Sequence, residues 1–448
     1  MGGADTLAGR KVDGDDIGVA SGFGDDPASM SLSSPDPVAP PLGAEAAGEL
    51  RIREIRATPV SIPLRAAYRW SVGYFPGFSK TIVEVETESG LVGLGEAPSS
   101  WSRQLIEEAI APRLIGADPR DLADCERRAV PPIQAMRNAD DESLLRAYGG
   151  VEMALWDLTG RIYGRSVADL LGGRVRDEVT YTEYFSPRLE SGGHGGESTP
   201  KDVGEYCGRM AAEFGAKAFE GKVGFGDLEF ELEMVKEIRA AIGEEPILRL
   251  DANMGWSLST ARQALRRLEP YDIRSVEDPV ATLPEMARLR SNSSISFSTH
   301  NTDLSYVSQQ GVPDALVIGL GAVGGIGKAV ALAHVCEHFG VDLWFYSPDG
   351  GVANAAYRQV AASLEWLGEP SQTLLRWHAD DVVAGGPVVP IDGKIAVSTA
   401  PGLGIELDPD ALARCHQRYL DDGPYDQYLH PERERYGPRR IAYNVHGR

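Results

Sequence analysis

Residues 218–253, AFEGKVGFGDLEFELEMVKEIRAAIGEEPILRLDAN, decide the fold. The two ends, AFEGKVG and ILRLDAN, are short apolar runs carrying Lys222 and Asp251, and EFELEMVKEIRAAIG between them has helical periodicity. The rhythm recurs. Downstream come IRSVEDP (273–279), SISFSTHN (294–301), DALVIGL (314–320) and DLWFYSP (342–348); upstream lies VTYTEYF (179–185). LSTARQALRRLEP and KAVALAHVCEHFG supply further helical patterns between the strands. Such alternation implies parallel βαβ units, and seven recognisable strands point to a modified (β/α)8 TIM-type barrel with one strand degraded. A doubly wound open sheet is the alternative, but its early glycine-rich turn is missing. GLGAVGGIG (319–327) follows the sixth strand instead and reads as a flexible barrel loop.

Ahead of the barrel, RIREIRATPVSIPL and SKTIVEVETESGLVGLGEA alternate as strands, the second broken by a Glu-Ser-Gly turn. Helical segments follow, notably SLLRAYGGVEMALWDLTGRIYG, in which Leu144, Val151, Ala154, Leu155 and Leu158 share one face. The expected organisation is a disordered Gly/Pro/Ser-rich tail at 1–48, an α+β capping domain at 49–175, the barrel at 176–400 and a C-terminal segment at 401–448. That last segment is expected to pack on the capping domain and carry a peripheral extension.

Composition narrows the function. A formal net charge of −22 repels phosphate backbones and anionic lipid, and no apolar run of spanning length occurs, so neither nucleic acid nor membrane is expected as a partner. Cys125, Cys207, Cys336 and Cys415 match no zinc spacing and read as free, buried thiols of a cytoplasmic protein. His334 and His338, four apart on a helix, read as surface or packing residues.

In a barrel the active site lies at the C-terminal strand ends. Lys222, Asp251, Glu277 and the pair His300–Asn301 end four successive strands, at gaps of 29, 26 and 23 residues. Asp251, Glu277 and His300 or Asn301 would converge, with Lys222 beside them. Two carboxylates together repel unless a cation joins them, and oxygen ligands with room for water suit Mg2+. A cation next to Lys222 would depress its pKa toward the range of a general base.

These motifs resemble the enolase superfamily, within it the mandelate racemase and acid-sugar dehydratase groups, especially the glucarate dehydratase-like branch. The resemblance runs from Arg51 to about Leu407. It includes YGGVEMALWDLTGRIYGRSVADLLGG (148–173), LRLDANMGW (248–256), SVEDPV (275–280) and APGLGIEL (400–407). It implies that a Mg2+-bound small-molecule carboxylate loses an α-proton to Lys222 and that the enediolate formed is stabilised by the ion. On alignment it favours His300 as the third metal ligand beside Asp251 and Glu277, with Asn301 competing, and it places Asn253, Glu220, Asn301 and Tyr74 in the substrate region. It also implies that RWSVGYFPGFS (69–79), with Trp70, Tyr74 and Phe75, is a loop closing over the barrel, and that the chain is a homo-oligomer.

Two departures stand out. The usual Lys-x-Lys of the second strand is here Glu220-Gly221-Lys222, and the Asp and His that usually pair at the sixth and seventh strands correspond to Leu320 and Tyr346. Tyr346 shares a strand face with Trp344 and is expected at the barrel mouth opposite Lys222, as a second catalytic group. Dehydration of a hydroxylated, acid-sugar-like carboxylate follows as the first reading. Racemisation or epimerisation, which needs acid/base groups on both faces of the α-carbon, and a non-catalytic metal- or ligand-binding relative are the alternatives.

Overall fold

The computed structural model describes residues 48–130, 139–346 and 348–425. The tail expected at 1–48 therefore lies, apart from Gly48, outside the described residues, as does the C-terminal extension beyond Tyr425.

An antiparallel sheet of β1 (Ile52–Trp70), β2 (Gly73–Thr87) and β3 (Val92–Ala97) opens the fold. Both faces of this sheet are covered, so Val60, Ile62 and Ile82 pack in one core and Val83 and Val85 in another. The segment 69–79 is not a loop, as the sequence reading has it. Its pairs Arg69↔Tyr74 and Trp70↔Gly73 extend β1 and β2 into a hairpin with Ser71 and Val72 at the tip. Helices α1 (Leu122–Ala129) and α2 (Ala139–Tyr163) follow. α2 lies directly on β3, and glycine permits this: a Cβ at Gly95 would stand 2.0 Å from the Gly150 carbonyl oxygen.

A short strand, β4 (Glu178–Thr180), pairs with β12 (Lys394–Ala396). Seven parallel strands then lie in the order β11-β10-β9-β8-β7-β6-β5: β5 (Glu183–Phe185), β6 (Ala218–Lys222), β7 (Ile247–Asp251), β8 (Ser275–Glu277), β9 (Ser296–Thr299), β10 (Ala315–Ile318) and β11 (Asp342–Phe345). The degraded eighth strand is the segment at Ser371 and Gln372. The Gln372 N–H donates to the Phe345 carbonyl at 2.8 Å, and Ser371 and Thr180–Thr182 exchange backbone bonds of 2.9 Å, joining β11 to β5.

Around the strands stand α3 (Pro200–Phe214), α4 (Leu228–Ile242), α5 (Leu258–Leu268), α6 (Leu283–Arg290), α7 (Ile326–Phe339) and α8 (Gly351–Ser363). Thr199, Asp227, Ser257 and Thr282 start four of them by accepting a first-turn N–H. Odd and even positions divide as a barrel requires: Phe219, Leu248, Leu250, Val276 and Phe297 pack under the helices, while Glu220, Lys222, Arg249, Asp251 and Glu277 alternate with them. Helix α9 (Pro409–Asp422) returns to the first sheet, where the Arg418 guanidinium donates to the Ser61 carbonyl at 3.2 Å and His416 Nδ1 meets the Pro59 carbonyl at 2.7 Å. All four cysteines are free and buried, His334 and His338 are exposed on α7, and no helix among the described residues is long and apolar enough to cross a membrane.

The glycine run 319–327 is a docking surface rather than a flexible loop. Leu320–Val323 is a helical turn, Gly324 and Gly325 take φ of 100° and 117°, and α7 begins with its N–H groups aimed at Glu152 of α2. Glu152 accepts from Ile326 N at 2.7 Å, Gly327 N at 2.9 Å and Trp156 Nε1 at 2.8 Å. Burial nevertheless pushes its pKa up to about 7.

Glu152→Ala leaves those buried donors without an acceptor, so we expect a loss on the order of 1–3 kcal/mol in urea unfolding. The sign with pH follows from the raised value. Between the ordinary 4.5 and about 7 the folded chain holds a proton that the unfolded chain has released, so Glu152 contributes less as pH rises. The deficit of the variant should therefore be largest below about pH 5 and shrink through about pH 7.

Candidate active site

Strand register assembles the site. Lys222 is in register with Asp251 and Asp251 with Glu277 on neighbouring strands, all three buried. Lys222 Nζ donates to Asp251 Oδ2. Asp251 is also held by Asn253, whose backbone N–H donates to Oδ1 at 2.8 Å and whose Nδ2 donates to Oδ2 at 3.1 Å. Asn253 takes φ of 42° to do so. Its amide nitrogen is thus committed to orienting Asp251 rather than to a substrate. Its Oδ1 is buried and has no hydrogen-bond partner among the described residues.

His300, just beyond β9, points its Nε2 at Glu277 Oε1, 2.9 Å away, and its Nδ1–H donates to the Val317 carbonyl at 2.8 Å. That second bond fixes the ring, as orienting partners do for metal-binding histidines. Although burial opposes a charge, Glu277, then Asp278 and Asp251, raise the His300 pKa to about 10. Asn301 turns away: its Oδ1 accepts from the Asp303 N–H at 2.9 Å in a local turn. Of the two competing residues, only His300 faces Glu277.

Asp278 was not anticipated, though the adjacent acids in SVEDP carried the signal. It takes φ of 39°, accepts from Thr299 Oγ1 at 2.5 Å, and forms with Glu277 and His300 a group whose ligand atoms lie within 4.8 Å of one another. Burial pushes Asp278 up to about 6. Two carboxylates and an imidazole at this spacing, with Asp251 in register alongside, fit a small divalent cation. Glu277 Oε1 supports that fit, being buried without a well-directed hydrogen bond.

Glu220 is corrected from a substrate contact to a residue beneath the site. It is wholly buried, 2.8 Å from the guanidinium of Arg249, its register partner on β7. Gln372 Nε2 bridges it to the site by donating to Glu220 Oε1 at 2.8 Å and to Glu277 Oε2 at 2.7 Å. Arg249 was legible as a charge in mid-strand. Gln372 was not, because two residues of eighth strand leave no periodic pattern.

The expected depression of the Lys222 pKa is reversed between the side chains themselves. Burial disfavours the ammonium, but Asp251 and, more weakly, Tyr184, Tyr68 and Glu277 drive its pKa well above the ordinary value. A cation that drew off the Asp251 charge would remove that hold.

Tyr346, the residue after β11, packs with Trp344 and is half-buried, its ring edge-to-face with His300 at 5.6 Å. Behind it Lys80 of β2 pairs with Asp349 at 2.5 Å, and Tyr357 also donates to Asp349. Burial and Asp349, opposed by Lys80 and Arg146, push the Tyr346 hydroxyl up to about 12. The ring fits only because residue 319 is glycine: a Cβ there would stand 1.9 Å from Tyr346 Cε1. Tyr74 is half-buried opposite Arg69 in the hairpin whose tip reaches the barrel, where Ser71 Oγ donates to the Asn253 carbonyl at 3.3 Å. The Arg69 guanidinium also lies over the Phe225 ring at 4.5 Å.

A parallel barrel with acids and one lysine on successive strand ends, roofed by an antiparallel domain, defines the capped-barrel scaffold of the enolase superfamily. The chain belongs to the mandelate racemase / muconate lactonizing enzyme family within it: residues 52–172 match that family's N-terminal domain and residues 202–411 match the enolase C-terminal domain-like family. It is 28% identical over 403 residues to a probable glucarate dehydratase of Streptomyces coelicolor, covering 84% of this chain and 93% of that one. Identity to a cis-3-hydroxy-L-proline dehydratase of Roseibium aggregatum is 27% over 388 residues, with 83% and 100% covered. Among solved structures, an enolase from Thermobispora bispora complexed with magnesium and formate has a TM-score of 0.76 at 29% identity, covering 84% and 94%.

The packing at residue 319 gives a direct test. Gly319→Ala should cost roughly 1–3 kcal/mol by overpacking against Tyr346. In a Tyr346→Ala background the same change should cost little, so a double-mutant cycle in urea should show strong coupling. Additive costs would mean that the ring does not occupy this position.

Proposed function

We propose that the protein is a Mg2+-dependent lyase that dehydrates a hydroxylated carboxylate. The observation that carries the reading is the register of Lys222 beside Asp251 and Glu277, together with a tyrosine, Tyr346, packed against His300 where a histidine base would be expected. Asp251, Glu277 and His300, with Asp278 at hand, would hold the ion. When bound, Mg2+ would supply positive charge to the carboxylate oxygens as negative charge develops on them.

Lys222, once neutral, takes the α-proton, and the electron pair moves toward the carboxyl group. The β carbon–oxygen bond then breaks. The departing hydroxyl receives the proton back from the Lys222 ammonium and leaves as water, and an enol so formed from a 2,3-dihydroxy acid tautomerises to a 2-keto acid. With its pKa near 12, Tyr346 stays protonated at neutral pH, which suits a donor that holds the leaving hydroxyl and not a base on the opposite face. For that reason elimination ranks above racemisation.

Incubation with Mg2+ and a library of acid sugars, followed by a 2-keto acid assay, should identify a substrate. Lys222→Ala should reduce kcat by at least about a hundredfold; a full rate in that variant would remove Lys222 as the base. Exchange of solvent deuterium into recovered substrate, with inversion and no keto acid, would establish racemisation instead. Independently of turnover, Mg2+ should raise Tm in the wild type and not in Glu277→Gln.

A further inference from the structure

The acids at the strand ends have already spent oxygens on the protein. Asp278 Oδ1 accepts from Thr299 Oγ1 at 2.5 Å, and the two Asp251 oxygens accept from Asn253 at 2.8 and 3.1 Å. Glu277 Oε2 accepts from Gln372 Nε2 at 2.7 Å. The same amide nitrogen donates to Glu220 Oε1, 2.8 Å away in the layer beneath, so Oε2 is drawn down into the barrel while Oε1 faces His300. Gln372, Glu220 and Glu277 are all buried. His300 offers only Nε2, because its Nδ1–H is committed to the Val317 carbonyl. Glu277, Asp278 and His300 thus bring one free donor atom each to the place where a cation fits.

Single donor atoms suit one kind of ion better than another. Mg2+ takes about six ligands, several of them water or substrate oxygens, whereas Ca2+ takes roughly six to eight and commonly grips a carboxylate by both oxygens. A neutral amide is also an apt tether. It fixes Glu277 without cancelling the negative charge that attracts a cation, as a lysine or arginine in its place would. We propose that Gln372 is a positioning residue that sets ion selectivity: by tying Glu277 Oε2 to Glu220 it leaves Oε1 alone to face the ion and so disfavours Ca2+. The inference rests on the proposed function in taking Glu277 as a ligand of the ion. It adds to that site a residue of the eighth strand segment, which supplies none of the ligands.

Calorimetric titration of the full chain with MgCl2 and, separately, with CaCl2 reads the selectivity, and the wild type should bind Mg2+ roughly tenfold or more tightly than Ca2+. Gln372→Leu removes the tether, and Gln372→Asn keeps an amide too short to span both carboxylates. Each should lose about 10–100-fold in Mg2+ affinity and far less in Ca2+ affinity, so that the ratio of the two constants falls. A role in packing alone would weaken both ions together and leave the ratio as it was. A crystal structure of the Mg2+-loaded wild type needs no substitution at all: Glu277 should meet the ion through Oε1 only, with Gln372 still on Oε2. Both Glu277 oxygens on the ion, comparable wild-type affinities for Mg2+ and Ca2+, or an unchanged ratio in the folded variants would overturn this inference alone. No saturable binding of either ion would overturn it together with the ion of the proposed function, whereas the lyase reading itself fails by turnover that persists in Lys222→Ala.

Discussion

Like-charge repulsion inside one barrel is the constraint on which this site depends. Glu220, Asp251, Glu277 and Asp278 are all buried on adjoining strands, and a buried carboxylate without a partner is strongly destabilising. Each has an answer in the neighbouring side chains. Arg249 meets Glu220, Lys222 meets Asp251, His300 meets Glu277, and the Thr299 hydroxyl meets Asp278. Gln372 ties the lower layer to the upper by donating to Glu220 and Glu277 together. Parallel register does the placing, because Lys222↔Asp251 and Asp251↔Glu277 put successive strand ends side by side without any loop having to adopt a special path.

The same physics docks the two domains. Glu96 of β3 accepts from the Gly350 and Ala353 N–H groups at the start of α8, and Glu152 of α2 does the same for α7. Asp157 joins the Leu94 N–H of the first sheet to the Leu403 N–H of the C-terminal segment. Helix N-termini present several donors and partial positive charge, so a buried carboxylate finds there what water would have supplied. Because these contacts sit on the helices that follow β10 and β11, the capping domain holds the side of the mouth where Gly319 and Tyr346 lie. The Lys80–Asp349 pair adds a direct link from β2 to the same loop.

The barrel was legible because burial on alternating strand positions imposes a pattern that single residues cannot obscure. AFEGKVG, ILRLDAN, SVEDP and the later runs all became strands, and Lys222, Asp251, Glu277 and His300 all came to the strand ends. Legibility failed where a residue acts through a partner far away in sequence. Asn253, expected in the substrate region, spends its amide nitrogen on Asp251, and Glu220, expected there too, is enclosed by Arg249 and Gln372. Glycine in 319–327 suggested mobility. Its use is instead close approach, since α2, the α7 N-terminus and the Tyr346 ring all occupy space that side chains would fill.

The exchange of a lysine for Glu220 is compatible with a lysine base because Arg249 restores the charge one strand away. A second lysine at 220 would have placed two ammonium groups two residues apart on one strand face, each able to lose a proton. Arg249 instead pairs with Glu220 at 2.8 Å, in the layer beneath the reacting groups. Full burial of Arg249 and Glu220, with the guanidinium 4.0 Å from the Trp344 ring, seals that layer from solvent and from a ligand at the mouth. What remains near the metal-fitting acids is one amine whose charge is set chiefly by Asp251. Drawing the Asp251 carboxylate toward a cation would weaken that hold and favour the neutral amine, so in this chain the event that prepares the carboxylate end of a ligand would also prepare its base.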